Sequence, residues 1–345
     1  MMKLDRQIIT GIRAAESGPD LHYYLKNAVR LEHATIPPYL TAMFSLKPGV
    51  NDGIARLIRS IVLQEMLHMT IASNILVAIG GSPMINIPSF IPQYPGPLPL
   101  SIGGAGFIVG LEPFSKPLVQ SVFMAIEEPE HPIPVAAFAA QPVPDFATIG
   151  EFYDALKKKL AGFPDSIYGR TERQVTRWFP ANVLFPITNG ASAGRGIDII
   201  VDQGEGTSTD PFQSPGDPAH YYKFGEIFYG RKIVKTPTGF AYAGAPVHFD
   251  PTGVYPMRPN PKINYFERGS QARMKMEEFS YAYSSLLNTL HNAFNGDPAL
   301  IDQAIGLMYG LKMIAVSLMQ TPLGDGSNMT AGPSYEYINV VQAAA

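Results

Sequence analysis

Leu63–Leu76 reads LQEMLHMTIASNIL and lies inside a longer apolar run, Ile54–Ile79, that holds neither proline nor glycine. Such a run predicts a long helix that is largely buried. It nevertheless carries Glu65 and His68, three positions apart, so both side chains leave one face about 60° apart. Leucine or methionine would pack there at lower cost, because a buried ionised carboxylate without a partner is strongly unfavourable. A Glu-x-x-His unit lets a carboxylate bridge two metal ions while the imidazole holds one of them. The unit alone is weak: a core histidine bonded to its neighbour is an equally good reading.

The preceding segment changes the balance. Leu25–Leu46, LKNAVRLEHATIPPYLTAMFSL, places Glu32 among apolar residues. The spacing of Leu21, Leu25, Ala28, Leu31 and Leu40 predicts a helix over about 20–46, with Asp20 as N-cap and Pro48-Gly49 as stop. A second helix is expected over about 53–79, capped by Asn51 or Asp52 and ended by Gly80-Gly81 and Pro83. The short link makes the two antiparallel neighbours. At ~1.5 Å per residue, Glu32 and Glu65 both lie about 20 Å from the connecting turn, hence at one level. Two carboxylates and an imidazole buried at one level call for a cation. Pro37 and Pro38, at roughly 3 kcal/mol or more each in a helix interior, predict a kink or bulge just past Glu32. His33 points about 100° away from Glu32 and reads as structural or as a support behind the ligands.

The rest of the chain is punctuated differently. Residues 82–144 are crowded with Pro and Gly and read as a long crossover, with a short strand near 106–111 and a helix over about 115–126. Further helices are expected over about 148–161, where Thr148 and Glu151 form a capping box, over about 191–204, and from near 218. Residues 231–250 read as a β-hairpin. Two last helices, about 268–295 and 297–320, form a helical hairpin broken at Asn295–Pro298.

Composition narrows the classes of function. The chain has 345 residues, 46% of them hydrophobic and 16% charged, with a net charge of −3 and no cysteine. This describes a folded, well-cored protein. The absence of a basic footprint argues against nucleic acid and anionic membranes as partners, and the absence of Cys removes disulfides, thiolate catalysis and Cys metal sites. No signal peptide or membrane span is expected, so a cytoplasmic location is.

LEHATIPPYL followed by QEMLHMTIASNILVAIGG resembles the ferritin-like domain of the VioB-type iminophenyl-pyruvate dimer synthases, a family that includes stand-alone bacterial proteins. TIGEFY, VDQGEGT and AHYYKFGEI fit the same family, so that the resemblance spans about residues 20–230. It implies a ferritin-like bundle with a di-metal carboxylate centre, iron being the expected metal with Mn or Zn as alternatives. The family's biosynthetic synthase has a large further region upstream of the part matched here, which leaves the synthase activity itself open. Carried over residue by residue, the resemblance offers Glu32 from the first helix, Glu65 and His68 from the second, Glu151 from the third and Glu205 from the fourth. Antiparallel packing would let the start of Glu151's helix meet the end of Glu205's. Ser208 stands where Glu205 would want a histidine three residues on, and His220 is the candidate replacement. For Glu151 a pure capping role, and for Glu205 a solvated loop position, remain open.

Other patterns carry less. Glu128-x-x-His131 in EEPEH matches the same spacing, but Pro129 and Pro132 argue for a loop, which leaves it at most at the site mouth. GGAGFIVG lacks the βαβ setting of a dinucleotide fingerprint. Glu277 and His291 are ~21 Å apart along one helix, too far to share a metal pair with each other. Among the many aromatic residues, Tyr39, Tyr221 and Tyr222 are candidates for a place beside the metals.

The expectation is therefore a mainly α fold: a ferritin-like four-helix bundle (residues 1–230, insertion at 82–144), with a small β element and a C-terminal helical hairpin (231–345) packed on it as one structural unit. The expected function is oxidation of a small amino-acid-derived substrate by O₂ or peroxide at a di-iron or other di-metal centre. Iron oxidation or storage, a scaffold that lost one metal position, and a metal hydrolase stay open as alternatives, as does self-association of the chain.

Overall fold

Ser17, not Asp20, opens the first long helix of the computed structural model, which describes residues 4–104, 106–129, 132–133, 135, 148–206 and 209–339. Asp20 sits at N3 and closes a capping box, its carboxylate accepting from the Ser17 N–H at 2.8 Å. The cap lies three residues upstream of the one read from sequence, because the Ser-x-x-Asp box with Pro19 in the first turn satisfies more of the free N–H groups than Asp20 could alone. A short helix, α1 (Arg6–Ala14), precedes this one, α2 (Gly18–Phe44), and α3 (Asp52–Ala78) follows it. Packing of α2 along α3 forms the centre of the molecule.

The expected kink past Glu32 does not interrupt α2. The helix runs through Pro37 and Pro38 to Phe44. The Ala34 carbonyl, which Pro38 cannot serve with an N–H, accepts instead from the Tyr94 hydroxyl at 2.7 Å. An outside donor thus meets part of the cost that would otherwise bend the helix.

The Pro-rich crossover contributes α4, an apolar helix over Lys116–Ile126 whose middle, Val119–Phe123, widens into a π turn. Upstream of it the strand expected near 106–111 is only a single bridge between Gly96 and Val109, where the Gly- and Pro-rich flanks give no ladder. Next come α5 (Ile149–Ala161), with the Thr148/Glu151 capping box, and α6 (Gly190–Gly204), capped by Asn189. These pack on each other, α6 also lies on α3, and α1 covers α5. The four helices α2, α3, α5 and α6 form the bundle; α4 and α7 (His220–Tyr229) close one side of it.

Two small antiparallel sheets complete the frame. β1 (Phe212–Ser214) pairs with β2 (Asp217–Pro218) just before α7. β3 (Val234–Thr236) pairs with β4 (Gly239–Ala241) in a tight hairpin with Val234 opposite Ala241. At the C-terminal end α8 (Gln271–Phe294) and α9 (Ile301–Met319) form a helical hairpin. By length and apolarity alone two helices match a membrane span, α3 and Pro298–Met319; α3 is spent in the bundle core, whereas the second lies largely on the outside.

Candidate metal centre

Four helices each send acidic or imidazole groups to one point. Glu32 comes from α2, Glu65 and His68 from α3, Glu127 from the residue that ends α4, and His220 from the first position of α7. All five are at most 8% exposed. Glu32, Glu65 and His68 each bring one ligand atom within 4.8 Å of the others, and so do Glu65, Glu127 and His220. Glu65 belongs to both groups and stands where a bridging carboxylate would.

The imidazoles are oriented alike. His68 turns Nε2 to the Gln203 side-chain oxygen at 2.9 Å and faces Glu32 Oε2 with Nδ1 at 3.5 Å. His220 turns Nε2 to the Gln64 side-chain oxygen at 3.1 Å, while Nδ1 lies 2.8 Å from Glu65 Oε1 and 3.4 Å from Glu127 Oε2. Despite that closeness His220 Nδ1 makes no hydrogen bond: the oxygens lie off the direction in which a ring N–H would point. A lone pair at Nδ1 aimed between carboxylates suits a cation, and an N–H donated to an amide oxygen by the other nitrogen is how ligating histidines are held. The two rings lie nearly parallel with centroids 5.5 Å apart.

The carboxylates are held by hydroxyls. Tyr39 donates to Glu127 Oε1 at 2.5 Å, Tyr153 donates to Glu32 Oε1, and Thr35 donates to Glu65 Oε2 at 3.0 Å. Burial, followed by the charge of Glu127, pushes the Glu65 carboxyl well above the usual carboxylate range. Burial first, and then the neighbouring carboxylates, likewise raise Tyr39 and Tyr153, so both phenols stay protonated and donate. Without a cation three carboxylates crowd one dry site; two divalent ions would balance them to within one charge. The residues therefore fit a pair of metal ions.

A cleft of about 50 Å³ opens onto the cluster between α2, α4, α5 and α6, walled by Leu31, Ile126, Ile149, Ile200 and Val201. Glu205, the residue that ends α6, also lines it. Its carboxylate lies beside Gly150, with Oε2 3.1 Å from where a Cβ there would stand.

Of the residues expected to bind metal, Glu32, Glu65, His68 and His220 are brought together. Glu151 is not: its carboxylate accepts from the Thr148 N–H at 2.9 Å and stays in the capping box. Tyr153, two residues on, is the α5 side chain that reaches the centre. Glu205 borders the cleft but belongs to neither three-residue group. Ser208 and His131, weighed in the sequence, lie outside the described residues. The second group is completed instead by Glu127, which the sequence reading does not single out: in EEPEH it weighs only Glu128 and His131. The discernible signal was its place at the end of an apolar helix, where a carboxylate opposes the helix dipole.

A bundle of this form around a carboxylate and imidazole cluster is ferritin-like, and the chain belongs to that family: its model, described as Ferritin-like, matches residues 25–229. The chain is also similar, at 24% identity over an alignment 381 positions long, to dichlorochromopyrrolate synthase of Lentzea aerocolonigenes. That match covers 92% of this chain but 36% of the synthase, so the chain spans little more than a third of that relative. In three dimensions it is similar to a crystal structure of a ferritin-like protein from Caulobacter vibrioides, with a TM-score of 0.61 and 26% identity over 92% of this chain and 98% of that one.

Proposed function

We propose that this protein is a di-metal oxidase of small organic molecules, with iron the expected metal. The observation that carries the reading is the sharing of Glu65 between two groups, each with its own carboxylate and an inward-facing Nδ1. Glu32 and His68 would hold one ion, Glu127 and His220 the other, and Glu65 both. Carboxylate and imidazole ligands suit Fe, Mn and Zn alike. A bound pair of redox-active ions, in the reduced state, would supply electrons to dioxygen or peroxide and so an oxidising equivalent for the substrate.

The chain's own residues set the conditions for that chemistry. Leu31, Ile126, Ile149, Ile200 and Val201 keep bulk water from the cluster. Tyr39 and Tyr153 donate to Glu127 and Glu32 and limit how those carboxylates can turn. A cleft of about 50 Å³ admits a small oxidant but not an amino-acid-sized molecule. The organic substrate would approach from the mouth that Glu205 borders. Similarity to a synthase favours an organic substrate over stored iron, and an amino-acid-derived imine is the class we put forward. A cysteine-free chain of this kind is suited to the cytoplasm.

Metal content after growth in iron-supplemented medium tests the reading. Close to two irons per chain are expected, both lost in Glu65→Ala and one lost in each of His68→Ala and His220→Ala. Oxygen uptake stimulated by an aromatic α-imino acid should follow the same order. Metal-free wild-type protein, with the three variants equally stable, would overturn the proposal.

A further inference from the structure

Beyond the five clustered residues, among the described residues, one buried cation remains without a part in the chemistry above. Lys223 lies one turn past His220 on α7 and is 2% exposed. Its Nζ donates to the Gln64 side-chain oxygen at 3.0 Å and meets Asp217 Oδ1 at 2.9 Å. Gln64 is the residue next to Glu65, and its side-chain oxygen is the same atom that faces His220 Nε2 at 3.1 Å. Gln213 adds a reciprocal amide pair with Gln64, at 2.8 and 3.2 Å.

We infer that Lys223 is a positioning residue that fixes the tautomer of His220 through Gln64. An ammonium group donates and never accepts. The side of the Gln64 amide that faces it must therefore be the oxygen, because a turned amide would set N–H groups against N–H groups. That oxygen only accepts, so His220 Nε2 must carry the hydrogen. In a neutral ring Nδ1 then holds the lone pair, and it is Nδ1 that lies between Glu65 and Glu127. The chain of donor and acceptor identities runs in one direction from Lys223 to the metal-facing atom, and each link follows from the one before. Asp217 neutralises the ammonium from the outer side, and the Asp217–Pro218 strand that pairs with β1 holds it in place.

The opposite imidazole has no such lock. His68 Nε2 meets Gln203 at 2.9 Å, but among the described residues Gln203 meets no group that can only donate. The two halves of the centre thus differ: the His220 half is set for a cation before one arrives, while among the described residues no donor-only group fixes the amide beside His68.

This inference deepens the di-metal reading and rests on it for its consequence, but the tautomer itself is measurable without metal. Metal-free protein labelled with ¹⁵N in histidine should show His220, assigned by its absence from His220→Ala, as a single Nε2–H tautomer in two-bond ¹⁵N–¹H correlation spectra. Gln213 also donates to the Gln64 oxygen while its Nε2 meets the Pro218 carbonyl at 3.3 Å, so the test is made in a Gln213→Leu background: there Lys223→Met should give a mixture of tautomers, and Lys223→Arg, which also only donates, should restore the single one. On iron titration, Lys223→Met should weaken the affinity for one ion about 10- to 100-fold and leave the other within about twofold, the range that groups behind a metal ligand command. An Nδ1–H tautomer at His220 in the wild type overturns the inference whether or not any variant folds. An unchanged single tautomer in a folded Gln213→Leu/Lys223→Met overturns it as well. If the wild type binds no iron while Gln213→Leu/Lys223→Met still scrambles the tautomer, the lock stands and the di-metal reading fails.

Discussion

Replacing Glu65 by glutamine should stabilise the metal-free protein and abolish its stabilisation by metal. Glu65 is 2% exposed and has Glu32 and Glu127 as close neighbours, with ligand atoms within 4.8 Å. At that separation and an effective dielectric constant of about 20, two full charges repel by about 3.5 kcal/mol. Burial first, and then this repulsion, favours the protonated form of Glu65, whose carboxyl is raised well above its ordinary value of 4.5. A carboxyl raised in the folded state gives stability that is fully present below 4.5 and is lost as pH rises toward the folded value. Glutamine has the same shape, can still accept from Thr35, and carries no such penalty. The metal-free variant should therefore exceed the wild type at pH 7 by up to about 3 kcal/mol, the order of the repulsion it removes, and by less at pH 5. With an unfolding entropy of about 2.1 cal/mol/K per residue, the pH 7 difference corresponds to about 4–5 °C in Tm. Metal at about 100 times its Kd should raise the wild type by about 2.7 kcal/mol and leave the variant nearly unmoved. Scanning calorimetry at the two pH values, with and without Fe²⁺ under anaerobic conditions, gives all four numbers. A metal-free Glu65→Gln that melts below the wild type at pH 7, or an advantage that grows as pH falls, would refute the account of a crowded acidic site.

Other substitutions test the scaffold that holds the centre. Tyr94→Phe removes the donor to the Ala34 carbonyl, which Pro38 leaves without its helical partner, and should cost about 1–3 kcal/mol in urea unfolding. Asn74, on α3, donates to the Val175 carbonyl at 2.7 Å and accepts from the Val175 N–H at 3.0 Å. Asn74→Ala should cost about 2 kcal/mol or more by orphaning both backbone groups, and Asn74→Asp no less, because it buries a carboxylate against the Val175 carbonyl with no donor between them. Tyr39→Phe leaves one oxygen of Glu127 without its donor and should weaken iron binding about 10-fold or more while far-ultraviolet circular dichroism stays unchanged.

The central helix pair was legible because helix geometry converts sequence distance into height. Glu32 and Glu65 could be set at one level from the turn between them, and they meet there. The helix at 148–161 and its cap were legible for a local reason, since Thr148 and Glu151 satisfy each other within one turn. That same local completeness takes Glu151 out of the metal cluster. A residue carried over from a family pattern keeps its place on the helix, but a carboxylate occupied by its own helix N-terminus is not available at the centre. The start of α5 and the end of α6 do come together, as the Glu205 carboxylate beside Gly150 shows, yet the α5 side chain that reaches Glu32 is Tyr153.

Glu127 shows where periodicity stops informing. Its position depends on α4, an eleven-residue helix whose π turn at Val119–Phe123 shifts the rotation of every later residue. A π turn inserts one extra residue into the helical count, so a face read at 3.6 residues per turn is displaced by about 100° beyond it. No pattern within residues 115–126 announces that insertion, because PLVQSVFMAI is apolar on nearly every side. What remains readable is energetic: a carboxylate at the C-terminal end of an apolar helix is opposed by the helix dipole and by burial together. The same reasoning that singled out Glu65 and His68 inside LQEMLHMTIASNIL applies to it. A charged group where packing and the helix dipole both oppose it points to a positive partner, and in the proposed di-metal centre that partner would be the ion shared by Glu127 and His220.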